Sequence, residues 1–118
     1  MQTFRFQEFP VYVKARGLYL SISTLTDALR DYAVKDQIRR ASLSIVLNIA
    51  EGSAKQSDKD FARFLQVALG SVNEVAACLD VLVNKQLIPE LHFGRLMIEC
   101  ESIAKQLGGL SKKLRSGF

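Results

Sequence analysis

Four stretches of this chain place apolar or small side chains at alternating four- and three-residue intervals, a period that forms one stripe on a helix and cannot form one face of a strand. The first stripe reads Val11, Ala15, Leu18, Ile22, Leu25, Leu29 and Tyr32, and the second Ile38, Ser42, Ile45, Ile49 and Gly52. The third is Phe61, Leu65, Ala68, Val72, Val75, Leu79 and Leu82, and the fourth Phe93, Leu96, Cys100, Ile103, Leu107, Leu110 and Leu114. Each stripe has to be covered, and four helices cover one another. A repeat averaging about 3.5 residues implies left-handed supercoiling and crossing angles near about +20°. Short connections make sequence neighbours antiparallel. The expected fold is all-α: an antiparallel, up-down-up-down, left-handed four-helix bundle.

Local signals set the expected helices at about 9–32, 36–52, 58–86 and 89–115, in one domain over residues 1–118. Pro10 suits a first turn, where its missing N–H costs nothing, and Pro89 is placed to start the fourth helix. Asp36 is the expected cap of the second helix and Gly52-Ser53 its stop. Ser57-Asp58-Lys59-Asp60 resembles a capping box, with Asp60 in the place of the usual Glu or Gln. The second helix is then the shortest, at roughly 25 Å against roughly 40 Å for the third. The long helix therefore overhangs, or the loop from Ala54 to Gln56 covers one end.

At 118 residues, 48% hydrophobic and 24% charged, the chain has enough apolar material for a packed core without staples. Cys78 and Cys100 have no disulfide-framework or metal-site spacing, so reduced thiols and a cytoplasmic location are expected. The start, Met1-Gln2-Thr3-Phe4-Arg5-Phe6, resembles no leader, and no uninterrupted apolar run of 18 residues occurs, which argues against a membrane. Net charge is +4: residues 1–101 hold 12 basic and 12 acidic side chains, whereas the remainder adds Lys105, Lys112, Lys113 and Arg115 and no acid.

Two helices carry more apolar surface than one core requires. The second has Leu43, Val46, Leu47 and Ala50 beside its stripe. The third has Arg63, Val67, Gly70, Glu74, Ala77 and Val81 opposite its own, Gly70 suggesting a close backbone approach. Leu43, Val46, Leu47, Ala50, Arg63, Val67, Gly70, Ala77 and Val81 are therefore candidate oligomer-interface residues, a wide monomer core being the alternative. Arg40, Ser44, Asn48 and Glu51 line one side of the second helix; with Glu74 they form a candidate structural polar cluster in which Arg40 pairs with Glu74.

No catalytic constellation is expected. His92 stands alone in a first helical turn, neither cysteine has activating basic neighbours, and no glycine-rich loop follows a strand. No metal site and no cofactor are expected; Asp58 and Asp60 lack the Glu-x-x-His partners of di-iron bundles.

The segment from Gln37 to Ser53, with Asn48-Ile49-Ala50-Glu51-Gly52 at its heart, strongly resembles the signature of the bacterial 23S rRNA intervening-sequence protein family, also called four-helix bundle proteins. The likeness continues through Phe61-Ala62-Arg63-Phe64-Leu65 and Ala68-Leu69-Gly70-Ser71-Val72-Asn73-Glu74 and spans nearly the whole chain. The resemblance implies a bundle that assembles as a ring-shaped homopentamer, encoded in ribosomal RNA insertions or elsewhere in bacterial chromosomes. A related branch, the accessory variability proteins of diversity-generating retroelements, binds nucleic acid and a reverse transcriptase. That branch is markedly more basic than this chain.

Two partner classes follow. In the first, RNA or DNA is bound without sequence preference by Arg39, Lys55, Lys59, Lys112, Lys113 and Arg115. No aromatic is interleaved with these cations in the sequence, Phe118 being the only one near the tail. In the second, the oligomer is a scaffold or adaptor for a protein partner and the charge is incidental.

Overall fold

The computed structural model describes residues 4–116, so Met1-Gln2-Thr3 and Phe118 lie outside the described residues. A short 3₁₀ turn at Arg5–Glu8 leads into α1 (Pro10–Leu25), α2 (Tyr32–Ser53), α3 (Asp58–Asn84) and α4 (Glu90–Ser116). No strand occurs among the described residues. The molecule is a four-helix bundle measuring 45 × 24 × 20 Å, with α2 on α3, α3 on α4 and α1 against both α2 and α4.

The stripes become the core. Val11, Ala15, Leu18 and Ile22 of α1 are buried, as are all five stripe positions of α2 and all seven of α3. On α4 the buried set is Leu96, Cys100, Ile103, Leu107 and Leu114, while Phe93 and Leu110 pack at its margin. By length and composition α3 could cross a membrane, with a mean hydropathy of 1.4 over its most apolar window. Its apolar residues have another use here, since α3 packs on both α2 and α4. The buried hydroxyls are satisfied within the chain: Thr26 Oγ1 donates to Ile22 O at 2.7 Å, Ser42 Oγ to Ile38 O at 2.8 Å, and Gln66 Nε2 to Ser111 Oγ at 3.1 Å.

The expected boundary between the first two helices is wrong. α1 stops at Leu25 and α2 begins at Tyr32, not Asp36, which makes α1 the shortest helix and lengthens α2 to 22 residues. Leu25, the last residue of α1, and Leu29, beyond the turn that follows it, continue the spacing because both pack on the core, whereas Tyr32 is 66% exposed. The cap of α2 is Asp31, whose carboxylate accepts from Val34 N–H and pairs with Lys85 at the end of α3. The Lys85 ammonium first, and the Val34 N–H second, hold the Asp31 carboxyl below its ordinary range. Arg39 fastens the same corner: Nε donates to Thr26 Oγ1 at 3.0 Å, and the guanidinium donates to Ser23 O at 2.8 Å.

The other termini lie near their expected places. Phe9 precedes Pro10 at the start of α1, and Ser57 Oγ accepts from Asp60 N–H at 3.1 Å, as a cap does. Asp60 itself pairs with Arg63 at 3.7 Å. α3 ends at Asn84 rather than Gln86. Gln86 turns left-handed at φ 59°, with Leu87 N–H bonded to Leu82 O and Gln86 N–H to Val83 O, the two bonds of a Schellman ending.

Gly52, expected to stop α2, lies inside the helix and is buried against α3. A Cβ there would meet Phe64 Cβ at 2.7 Å and Phe61 Cδ1 at 3.0 Å. Gly70 is the reverse: a Cβ would meet nothing within 4 Å, so no close approach within the chain explains it. Gly52→Ala is expected to cost about 1–3 kcal/mol in urea unfolding, as overpacking does. Gly108→Ala, in open space on α4, should be neutral or stabilising by up to about 1 kcal/mol.

Candidate functional site

Folding gathers cations that are far apart in sequence. Arg5 Nε donates to Ser53 O at 2.9 Å, Phe9 stacks on Phe61 at 6.0 Å, and Gln66 bonds Ser111. These contacts bring the 3₁₀ turn, the start of α1, the α2–α3 connection and the last turns of α4 to one end of the bundle. Segments 4–16, 51–66 and 105–116, which meet there, carry ten basic and four acidic side chains, whereas the rest carries six basic and eight acidic. Lys55, Lys59, Lys112, Lys113 and Arg115 are exposed at this end, with no competing ion pair among the described residues.

Arg39 does not join them. It sits at the α1–α2 corner with its side chain 32% exposed, committed to Thr26 and Ser23 and 3.7 Å from the Asp27 carboxylate. Its Nε and one terminal nitrogen are already directed at protein acceptors, and it lies away from the other five cations. Sequence reasoning also missed the aromatics. Lys55 Nζ lies 5.0 Å from the Phe64 ring centroid and the Arg63 guanidinium 5.1 Å, while Arg5 lies over Phe61 at 5.5 Å and over Phe9 at 5.8 Å. Phe4 is 62% exposed beside them. The adjacency of Arg63 and Phe64 was the available signal.

The candidate interface residues separate into groups. Val46 belongs to the core at 7% exposure, a correction that leaves Leu43, Leu47 and Ala50 as the outward residues of α2. Leu47 and Ala50, with Phe4, Phe6 and Glu51, line a hollow of about 650 Å³ under the 3₁₀ turn. Ala77 and Val81 form a shallow groove of about 350 Å³ with Ala33 and Val34, while Val67 and Gly70 are exposed along the same helix. Arg63 is exposed on α3 but belongs to the basic end. Leu91 and Ile98 of α4 are also outward and were not anticipated.

The polar cluster is partly realised. Ser44 Oγ and Ser71 Oγ share a hydrogen bond at 2.9 Å, and Asn48 Nδ2 donates to Ser44 O at 2.8 Å. Glu74 accepts from Gln37 Nε2, not from Arg40; Arg40 and Glu51 are exposed. Gln37 lies one helical turn before Arg40 and takes the partner expected for it.

The titratable groups offer little chemistry. Burial first, and then Glu99 and Glu101, push the Cys100 thiol up to about 11, and burial with Glu74 raises Cys78. Both thiols therefore stay protonated at neutral pH. His92 Nδ1 lies 2.9 Å from an Arg95 guanidinium nitrogen. No group of three or more metal-ligating side chains occurs among the described residues.

The fold and its surfaces define a helical-bundle protein with a basic end and an apolar flank. The chain belongs to the 23S rRNA-intervening sequence protein family, whose model matches residues 7–109. It is also similar, at 26% identity and a TM-score of 0.82 over 86% of this chain and 98% of the other, to a crystal structure from Bacteroides thetaiotaomicron described as a protein of unknown function from the S23 ribosomal protein family. No curated protein matches the chain. Neither likeness names an enzymatic activity. Arg39→Ala is expected to lower unfolding free energy by about 1–3 kcal/mol, the usual range for hydrogen bonds from a charged group, while leaving polyanion affinity unchanged in a filter-binding assay.

Proposed function

We propose that this chain is a non-catalytic, self-associating bundle that binds nucleic acid without sequence preference through its basic end. The observation that carries the reading is the gathering of Lys55, Lys59, Lys112, Lys113 and Arg115, exposed, at one end of a body whose other half is slightly acidic. Phosphates are held by such cations through counterion release, which needs no base contact.

In this reading the helices run up-down-up-down with left-handed twist, and copies close into a ring of five as the family resemblance implies. The contacts Arg5 with Ser53, Asp31 with Lys85 and Gln66 with Ser111 support alternating helix directions, since each joins the beginning of one element to the end of another. The outward residues Leu43, Leu47, Val67 and Val81, each at least 36% exposed, support association through α2 and α3. The same apolar flank is the specific feature favouring the second reading, an oligomeric adaptor for a protein partner.

Mixed-sequence RNA should bind with an affinity that falls steeply with salt. Replacing Lys112, Lys113 and Arg115 together by Gln should lower the slope of log K against log salt by about 2 to 3. Undetectable binding at low salt would leave the adaptor reading in its place. Leu47→Lys and Gly70→Leu should each convert the assembly to smaller species in sedimentation. Unchanged mass in both variants would rule out the α2–α3 interface.

A further inference from the structure

We propose that the basic end takes single-stranded in preference to duplex nucleic acid, because aromatic rings, Phe4 exposed and Phe64 half-buried, alternate there with its cations. This rests on the nucleic-acid reading above and specifies its ligand. A duplex offers a protein mainly phosphate, its base faces being stacked on one another. A single strand offers base faces as well, each worth about 1–3 kcal/mol when stacked on an aromatic side chain.

The rings and charges lie along one path. Phe4, Arg5 and Phe6 form one wall of the hollow beside α2, and Ser53 and Ala54 another. Lys55 follows Ala54 directly and lies over Phe64, whose ring also receives Arg63. The order across the surface is therefore ring, cation, cation, ring, cation: Phe4, Arg5, Lys55, Phe64, Arg63. Phe4 is mostly exposed and is held from behind, its ring 6.1 Å from Phe6, which in turn meets Tyr12 edge-on at 4.7 Å. A ring so braced is preorganised for stacking and loses little freedom when a base covers it.

The hollow is large enough to take a base, being within the range of about 300–1,000 Å³ that holds small ligands. Glu51 also lines it, so phosphate is repelled from its interior and remains outside on Lys55 and Arg63. A base turned inward with its backbone outward satisfies both. Duplex nucleic acid, with its bases already paired, cannot adopt that arrangement without unpairing.

The test is fluorescence anisotropy with an unstructured RNA of about 16 nucleotides, alone and annealed to its complement, at matched salt. The intact protein should prefer the single strand by at least about tenfold, as two stacked bases would give. Phe4→Leu and Phe64→Leu keep apolar volume and remove the ring; each should weaken single-strand binding about fivefold and leave duplex binding unchanged. The triple Gln variant of Lys112, Lys113 and Arg115 should weaken both forms alike. Equal affinity for the two forms, or Phe variants that affect both or neither, would overturn the single-strand proposal and leave the nucleic-acid reading standing. Failure of both forms to bind at low salt would overturn both readings. Should Phe64→Leu prove misfolded by circular dichroism, Phe4→Leu, altered only at an exposed side chain, decides alone.

Discussion

Where α2 meets α3 at Gly52 there is no room for a side chain, and the two phenylalanines that fill the space are turned to different tasks. Phe61 goes inward, stacks on Phe9 and so joins the start of α1 to the start of α3. Phe64 stays at the margin, under Lys55 and Arg63. The same close approach thus seals one end of the core and supplies the aromatic floor of the basic surface. Overpacking at Gly52 would disturb both, because the added Cβ would meet the Phe64 Cβ, which is fixed to its helix, and the packed ring of Phe61.

The core was legible in the sequence because its physics is local: a helix that must bury one stripe advertises it at 3.5-residue intervals. Every stripe position of α2 and α3 is buried. The α1–α2 boundary was not legible for the same reason. Leu25, Leu29 and Tyr32 keep the period, yet the chain leaves the helix at Thr26, whose hydroxyl turns back to Ile22 O while Arg39 reaches across to bind it. An arginine thirteen residues on decides that corner, and it does so through a contact between two helices that the period of either one does not report. The cap is Asp31 instead of the expected Asp36, and Lys85, more than fifty residues away, accompanies it.

The candidate surface was half legible. Lys112, Lys113 and Arg115 are a run, and Lys55 and Lys59 are close to one another, so their charge was visible. That Phe4, Arg5, Phe64 and Arg63 stand beside Lys55 follows only from the fold. That Arg39 is held at the α1–α2 corner by Thr26 and Ser23 was not legible, because a cation's commitments cannot be read without its neighbours' positions. Val46 was misjudged because α2 packs on both α1 and α3, which widens the part of it that is covered.

The uneven charge of the two halves gives the bundle a permanent electric dipole along its 45 Å axis. In the field of a polyanion such a body experiences a torque as well as an attraction, so it arrives already turned. At physiological salt that field reaches only about 8 Å, which confines the turning to the final approach. Copies arranged side by side with the same heading would add their dipoles, producing a disc with one adhesive face and one indifferent one. Two such discs would repel when their adhesive faces met, which limits stacking and leaves that face open to solution.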